Sequence, residues 1–206
     1  MGIFQHLREK PWLDAQGAGV ALDAGRTLSM PTEKVGLWVF LASISVLFTL
    51  LVISYNGRIL LGGDWRALPD PWVLWPNTAL LFMSSIAFHR AQVNARRGQI
   101  DAAKAGLMAA GVLTLAFLGG QMLASYQLIE MGYFASTNPA NAFFYLLTSL
   151  HGIHLIGGLV AWIRTNAKIR RGVGESQVAL SIELCAIYWH FLLLVWLILF
   201  TLMLVT

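Results

Sequence analysis

From Val35 onward the chain alternates long apolar blocks with short polar stretches. A membrane-spanning α-helix needs about 20 mainly apolar residues. Five blocks meet that length: residues 35–55, 72–91, 105–128, 142–163 and 178–205. The pattern therefore predicts an all-α polytopic membrane protein, with a tail over residues 1–34 and a five-helix transmembrane domain over residues 35–206. Neither half repeats the other, and the paired interrupted helices typical of transporters are not evident. The tail carries Pro11, Pro31 and several glycines, which suits at most a short surface helix. It lacks the apolar core of a cleavable signal peptide, so the first span is expected to act as its own insertion signal.

Composition agrees with the pattern. Hydrophobic residues make up 57% of the chain and charged residues 12%, against roughly 25% charged in soluble domains. There are too few polar residues to clothe a soluble core. The net charge of +4 would otherwise raise nucleic acid as a partner, but the position of the charges explains it better. Arg8, Lys10, Arg26 and Lys34 precede the first span; Arg90, Arg96, Arg97 and Lys104 surround the second loop; Arg164, Lys168, Arg170 and Arg171 surround the fourth. With five spans all of these fall on one side, and only Arg58 and Arg66 fall on the other. Basic loops stay in the cytoplasm, so the N-terminus is expected inside and the C-terminus in the periplasm. Trp65, Trp72 and Trp75 suit the outer membrane–water interface. The single cysteine, Cys185, rules out an intrachain disulfide.

Ionisable residues inside the spans raise the chemical question. A charge at the bilayer centre costs at least ~2.5–3.5 kcal/mol, so each needs a partner. His151 and His154 are three residues apart and are expected on one helix face near mid-depth. Glu183 and His190 are seven apart on the last span, again on one face. The opposite directions of the two spans put His154 and His190 at similar depth, with Glu183 about 10 Å nearer the cytoplasm. Three readings stand open: a bis-histidine haem site, a zinc or copper site from three histidines and a carboxylate, or a polar cluster that hydrogen-bonds between helices or meets a lipid headgroup. Glu183 would be balanced by an imidazolium, by a basic residue from the cytoplasmic side, or by protonation.

Other polar residues read as peripheral. His89, beside Arg90, is expected to be solvated at the interface, His6 lies in the tail, and Glu130 should face water or pair with Arg58 or Arg66. Small residues at intervals of four, Ala116, Gly120 and Ala124 on the third span and Gly157 and Ala161 on the fourth, suit close helix contacts or a cofactor crevice. The chain has no nucleophile–base pair, phosphate-binding loop or cysteine cluster, so no catalytic, metal-ligating or cofactor-binding residue is assigned.

Four stretches together resemble subunit III of the haem–copper terminal oxidases, the cytochrome c oxidase subunit III family, in its bacterial five-helix form. "KVGLWVFLAS" (34–43) is similar to the start of the first shared helix, and "WPNTALLFMSS" (75–85) to the family's Asn-Thr…Ser segment through Asn77, Thr78 and Ser84. "FFYLLTSLHGIHLIGG" (143–158) resembles its His-Gly-x-His segment through His151, Gly152 and His154. "ELCAIYWHFLLLVWLILF" (183–200) resembles its last helix through Glu183, Tyr188, Trp189, His190, Phe191 and Trp196.

The resemblance implies a multi-pass subunit of the bacterial inner membrane that carries no cofactor itself. It would pack against subunit I, which with subunit II holds the haems and copper, bind phospholipid in a cleft, and support proton uptake and durability of the enzyme. Cytochrome c is the expected electron donor; a ubiquinol oxidase, or an accessory subunit of a nitric oxide reductase, is the alternative. Two positions depart from the family. Ile44 stands where many members have a carboxylate connected with proton handling, and Leu193 where many have an aspartate that contacts subunit I. Outside this class, a stand-alone membrane cytochrome would use His151 or His154 with His190 to hold haem, and a small transporter would use Glu183 as its proton-coupled site.

Overall fold

A computed structural model describes residues 31–63, 65 and 72–205. The tail expectation for residues 1–30 lies outside the described residues. Five helices follow one another: α1 (Thr32–Leu61), α2 (Leu74–Arg96), α3 (Ile100–Glu130), α4 (Pro139–Arg170) and α5 (Glu175–Val205). Each overlaps an expected span, and the helices overrun the apolar blocks at most ends, because a helix continues through the polar interface until a residue stops it. At 30 residues or more, α1, α3, α4 and α5 are long and apolar enough to cross a membrane.

α2 does not reach that hydropathy, though it was expected as a span. Asn77, Ser84, Ser85, His89 and Arg90 dilute its apolar content. Ser84 and Ser85 are satisfied by neighbouring helices, and contacts with α3 recur along its length. They run from Asn77 against Gly120, through Ser84 against Ala110, to Ala91 against Gly106. α2 thus stretches antiparallel to α3 through the thickness of the bundle.

What stops the helices is local. α2, α3 and α4 each end two residues before a glycine in the left-handed region: Gly98 (φ 74°), Gly132 (φ 84°) and Gly172 (φ 65°). The paired bonds of a Schellman motif close each end. After α2, Gln99 N–H donates to Asn94 O and Gly98 N–H to Ala95 O. After α3, Tyr133 donates to Leu128 and Gly132 to Ile129; after α4, Val173 donates to Lys168 and Gly172 to Ile169. A Cβ at these φ values is disfavoured, hence glycine. α4 starts on an Asn138 cap whose Oδ1 accepts from Ala140 N–H at 3.1 Å, with Pro139 in the first turn. The α3–α4 loop is tied down by Asn141 Nδ2 to Phe134 O (3.0 Å) and by Tyr145 Oη to Tyr133 O (2.9 Å).

α2 to α5 form an antiparallel ring, with α2 between α3 and α5 and α4 closing the other side. α3 buries Ala103, Leu107, Ala110, Thr114, Phe117, Gln121, Ala124 and Leu128, a three-four spacing that keeps one stripe against its neighbours. The core centres on Trp189, Trp196, Phe88 and Phe117, all fully buried. Phe88 lies 4.2 Å from Trp189 and Phe117 5.1 Å from Trp196, between ring centroids.

α1 attaches differently. Leu41, Ile44, Phe48 and Tyr55 are its buried residues. Rings reach across to the bundle: Phe40 to Tyr188 (6.2 Å), Phe48 to His154 (5.4 Å) and Tyr55 to Phe143 (5.4 Å). Large side chains at each contact hold the backbones apart, and clefts open beside α1.

Candidate functional site

The expected polar residues do not meet at one point. His151 and His154 are successive on α4, but a three-residue step turns the helix by about 60° from full register, enough here to send them to different neighbours. His151 is fully buried and lies between Phe117 of α3 (6.0 Å) and Trp196 of α5 (5.3 Å). Neither ring nitrogen has a hydrogen-bond partner among the described residues. His154 is half-buried and faces Phe48 of α1; its Nδ1–H donates to Leu150 O at 2.7 Å. His190 is exposed on the far side of α5 and hydrogen-bonds Ser85 of α2 through Nδ1.

His151 thus meets α3 and α5, His154 meets α1, and His190 meets α2. His151 and His154, expected on one face, meet different side chains: Phe117 and Trp196 for His151, Phe48 for His154. The similar depth expected for His154 and His190 agrees with the geometry, since Tyr188, two residues from His190, donates its hydroxyl to His154 O at 2.9 Å.

Glu183 has an ion pair. Its Oε1 stands 3.1 Å from Arg96 Nη2, with side-chain exposures of 19% and 61%. Of the three expected ways to balance Glu183, a basic residue is the one the structure shows. Arg96 occupies the last turn of α2, and the overrun of α2 beyond the apolar block brings it level with Glu183. His89 also moves from its expected place at a span end. It sits within α2 with its ring 6.0 Å from that of His190. Glu130 ends α3 one turn beyond Tyr126.

Several of the motif residues serve packing. Trp189 Nε1–H donates to Thr114 Oγ1 at 2.9 Å; Thr114 and Ser84 hydroxyls are 2.8 Å apart, and each lies 2.9 Å from Ala110 O. This joins α2, α3 and α5 at the core. Trp196 Nε1–H donates to Thr78 Oγ1 at 3.0 Å, and Thr78 in turn donates to Leu74 O at 2.8 Å. Asn77 is buried with its carboxamide against Gly120, where a Cβ would overlap it. A Cβ at Gly152 would make only an ordinary contact with Leu118, and Phe191 lines a cleft of ≈ 320 Å³ against Phe48 and Val52 of α1. Thr114, Arg96 and Ser85 carry these contacts without having stood out in the sequence; their types are common, and only the register between helices picks them out.

The small residues also divide. Ala124 is buried and Gly120 meets Asn77, whereas Ala116 is exposed. Gly157 and Ala161 do not make helix contacts of the expected kind. They line a second cleft, of ≈ 390 Å³, between α1, α4 and α5, along with Phe40, Tyr188, Arg164 and Lys168. Arg164 and Lys168 are exposed one turn apart on α4, and Lys168 Nζ donates to Ser181 Oγ at 2.9 Å. The cleft is apolar along most of its length and basic at the end formed by Arg164 and Lys168. Ile44, at the family's acid position, is buried on α1.

Comparison with known proteins places the chain. Residues 30–205 match the family described as "Cytochrome c oxidase subunit III". The cytochrome c oxidase subunit 3 of Thermostichus vulcanus is 30% identical over 93% of this chain and 95% of its own length. A probable cytochrome c oxidase subunit 3 of Mycobacterium bovis is 31% identical over 82% of the chain and 85% of its own length. The cytochrome bo(3) ubiquinol oxidase subunit 3 of Pseudomonas aeruginosa is 29% identical over 81% of each.

Proposed function

The chain belongs to the cytochrome c oxidase subunit III family, and from that premise we propose that it is the non-catalytic subunit III of a bacterial oxidase that takes electrons from cytochrome c. As a haem–copper oxidase subunit III it is a multi-pass membrane protein of a multi-subunit complex. In the proposed assembly it sits in the inner membrane with its N-terminus cytoplasmic and its C-terminus periplasmic. Subunits I and II hold the haems and copper, reduce oxygen and move protons, and this chain stabilises subunit I.

The observation that carries the reading is the family match over residues 30–205. Relatives named for cytochrome c support the donor; the ubiquinol oxidase relative keeps quinol as the second reading, since the donor would dock elsewhere. The basic ends of α2–α3 and α4–α5 lie together at one end of the bundle, which supports the proposed orientation.

A phospholipid is the proposed occupant of the α1–α4–α5 cleft. Its acyl chains would lie along Phe40, Gly157 and Tyr188, and its phosphate at Arg164 and Lys168. The experiment is affinity purification of the tagged chain in mild detergent, with an optical spectrum, an oxygen-consumption assay and identification of co-purifying proteins. A haem signal that arrives with a separate large subunit, and oxygen uptake driven by reduced cytochrome c, is the expected result. Haem retained by this chain alone would overturn the reading, and uptake driven only by quinol would replace the donor.

A further inference from the structure

Polar side chains from α2, α3 and α5 recur in the core at a seven-residue step. In a first layer, the Ser84 and Thr114 hydroxyls are 2.8 Å apart and Trp189 Nε1–H donates to Thr114 Oγ1 at 2.9 Å. Seven residues make two turns of helix less about 20°, with a rise of about 10.5 Å. Because α2 runs antiparallel to α3 and α5, seven residues back along α2 and seven forward along the others reach a second common level on the same faces. That step carries Ser84 to Asn77, Thr114 to Gln121 and Trp189 to Trp196. The Asn77 carboxamide lies against Gly120, the residue before Gln121, as this register requires.

The second layer does not close on itself as the first does. Trp196 Nε1–H donates to Thr78 Oγ1 at 3.0 Å, one residue along from Asn77. With no Cβ on Gly120, the Asn77 carboxamide settles onto α3 there and not on the side chain of Gln121. Asn77 is 2% exposed and Gln121 8%, yet neither the nitrogen nor the oxygen of either carboxamide has a hydrogen-bond partner among the described residues. His151 also lacks one, but its ring rests between Phe117 and Trp196, and an aromatic face can take an N–H. A carboxamide carries two donors and an acceptor, and buried groups of this kind are met by protein or by ordered water.

We propose that ordered water is bound between the carboxamides of Asn77 and Gln121, in the core where α2, α3 and α5 meet. The ligand must both donate and accept, because each amide offers both functions, and it must be neutral, because no charged side chain belongs to the layer. Water is the smallest molecule that meets both demands. It accepts from an amide nitrogen and donates to the oxygen of the facing amide, joining groups that stand too far apart to bond directly. The first layer needs no such bridge, since its hydroxyls and indole reach one another.

Radiolytic footprinting of the protein, purified in mild detergent with the subunits that accompany it, tests this. X-rays split bound water into hydroxyl radicals in place, and these oxidise the side chains beside it. Trp189 and Trp196 are a matched pair, both fully buried and both donating through Nε1. Trp196 lies against Thr78 and Phe117, the one next to Asn77 in the chain and the other about one turn from Gln121. Mass spectrometry should find Trp196 oxidised about fivefold faster than Trp189, or more, as a resident water implies. In the variant Asn77→Leu/Gln121→Met, whose side chains keep nearly the same shape but cannot hold water, Trp196 should fall to the rate of Trp189. Equal oxidation of the two tryptophans in the wild-type protein would overturn the proposal and needs no variant to fold. Fast oxidation of Trp196 that persists in the double variant would overturn it as well, the radicals then arising elsewhere.

Discussion

Gly157 and Gly158 are neighbours on α4 that should respond to alanine with opposite signs. At Gly158 an added Cβ would stand 2.8 Å from Tyr188 Cε1 and 3.0 Å from two carbons of the Trp189 ring. Neither ring can easily yield, because Tyr188 is bonded to His154 O and Trp189 to Thr114 in the fully buried core. Overpacking of this kind costs about 1–3 kcal/mol. At Gly157 a Cβ meets nothing within 4 Å. Both substitutions also gain about 0.5–1 kcal/mol from replacing a helical glycine.

That gain cancels between the two variants, so their difference isolates the clash. Gly157→Ala should be about 1–3 kcal/mol more stable than Gly158→Ala, a ratio of roughly 5- to 150-fold in the unfolding constant. Against wild type, Gly157→Ala should be more stable and Gly158→Ala equal or less stable. The assay is unfolding by added SDS in mixed micelles, followed by tryptophan fluorescence. If Gly158→Ala matches or exceeds Gly157→Ala, α4 and α5 do not approach as closely as described and the reasoning fails.

Two further substitutions probe the polar residues. Arg96→Gln removes the cation 3.1 Å from the Glu183 carboxylate, only 19% exposed, and should cost about 1–3 kcal/mol. Glu183→Gln leaves a mostly exposed arginine and should cost below about 1 kcal/mol. The double variant in the same SDS titration should resemble Glu183→Gln alone; an innocuous Arg96→Gln would show the pair to be incidental. His151→Leu removes a buried ring with no hydrogen-bond partner among the described residues, so stability should hold or rise by up to about 1–3 kcal/mol. A loss above about 1 kcal/mol would mean that the imidazole has partners in the folded protein.

Much of this architecture was legible in the sequence because lipid imposes it. Helix number and approximate position followed from apolar length, since a span cannot be shorter than the bilayer allows. The ends were less legible. Arg96 lies beyond the apolar block yet inside α2, and the signal that sets its end is a single glycine, Gly98, whose meaning depends on φ. The sidedness of each polar residue was the hardest to read. Spacing put His151 and His154 on one face, but a 60° difference becomes a choice between two neighbours once α1 packs against one edge of α4 and α3 against the other. The partnership of Arg96 with Glu183 depends on the register between α2 and α5, for which one sequence holds no local signal. Family motifs did better on Trp189 and Trp196 because large buried rings leave few alternatives for their N–H groups.

The two ways of joining helices in this chain have different consequences. α2 and α3 meet where Gly106 faces Ala91 and Gly120 faces Asn77; small residues let backbones approach, and dispersion over many atoms holds them. α1 meets α4 and α5 through Phe40, Phe48 and Tyr55, whose rings act as spacers. A ring bridges a gap but cannot fill it between one contact and the next. The clefts beside α1 therefore follow directly from the choice of large residues on that helix, and Ile44 fits the same logic as an apolar group on a face that shares its boundary with those clefts. Lipid chains suit such gaps because they adjust to irregular width. The basic pair Arg164 and Lys168 at one mouth would then fix which end of the lipid enters, so that shape and charge on three helices act together.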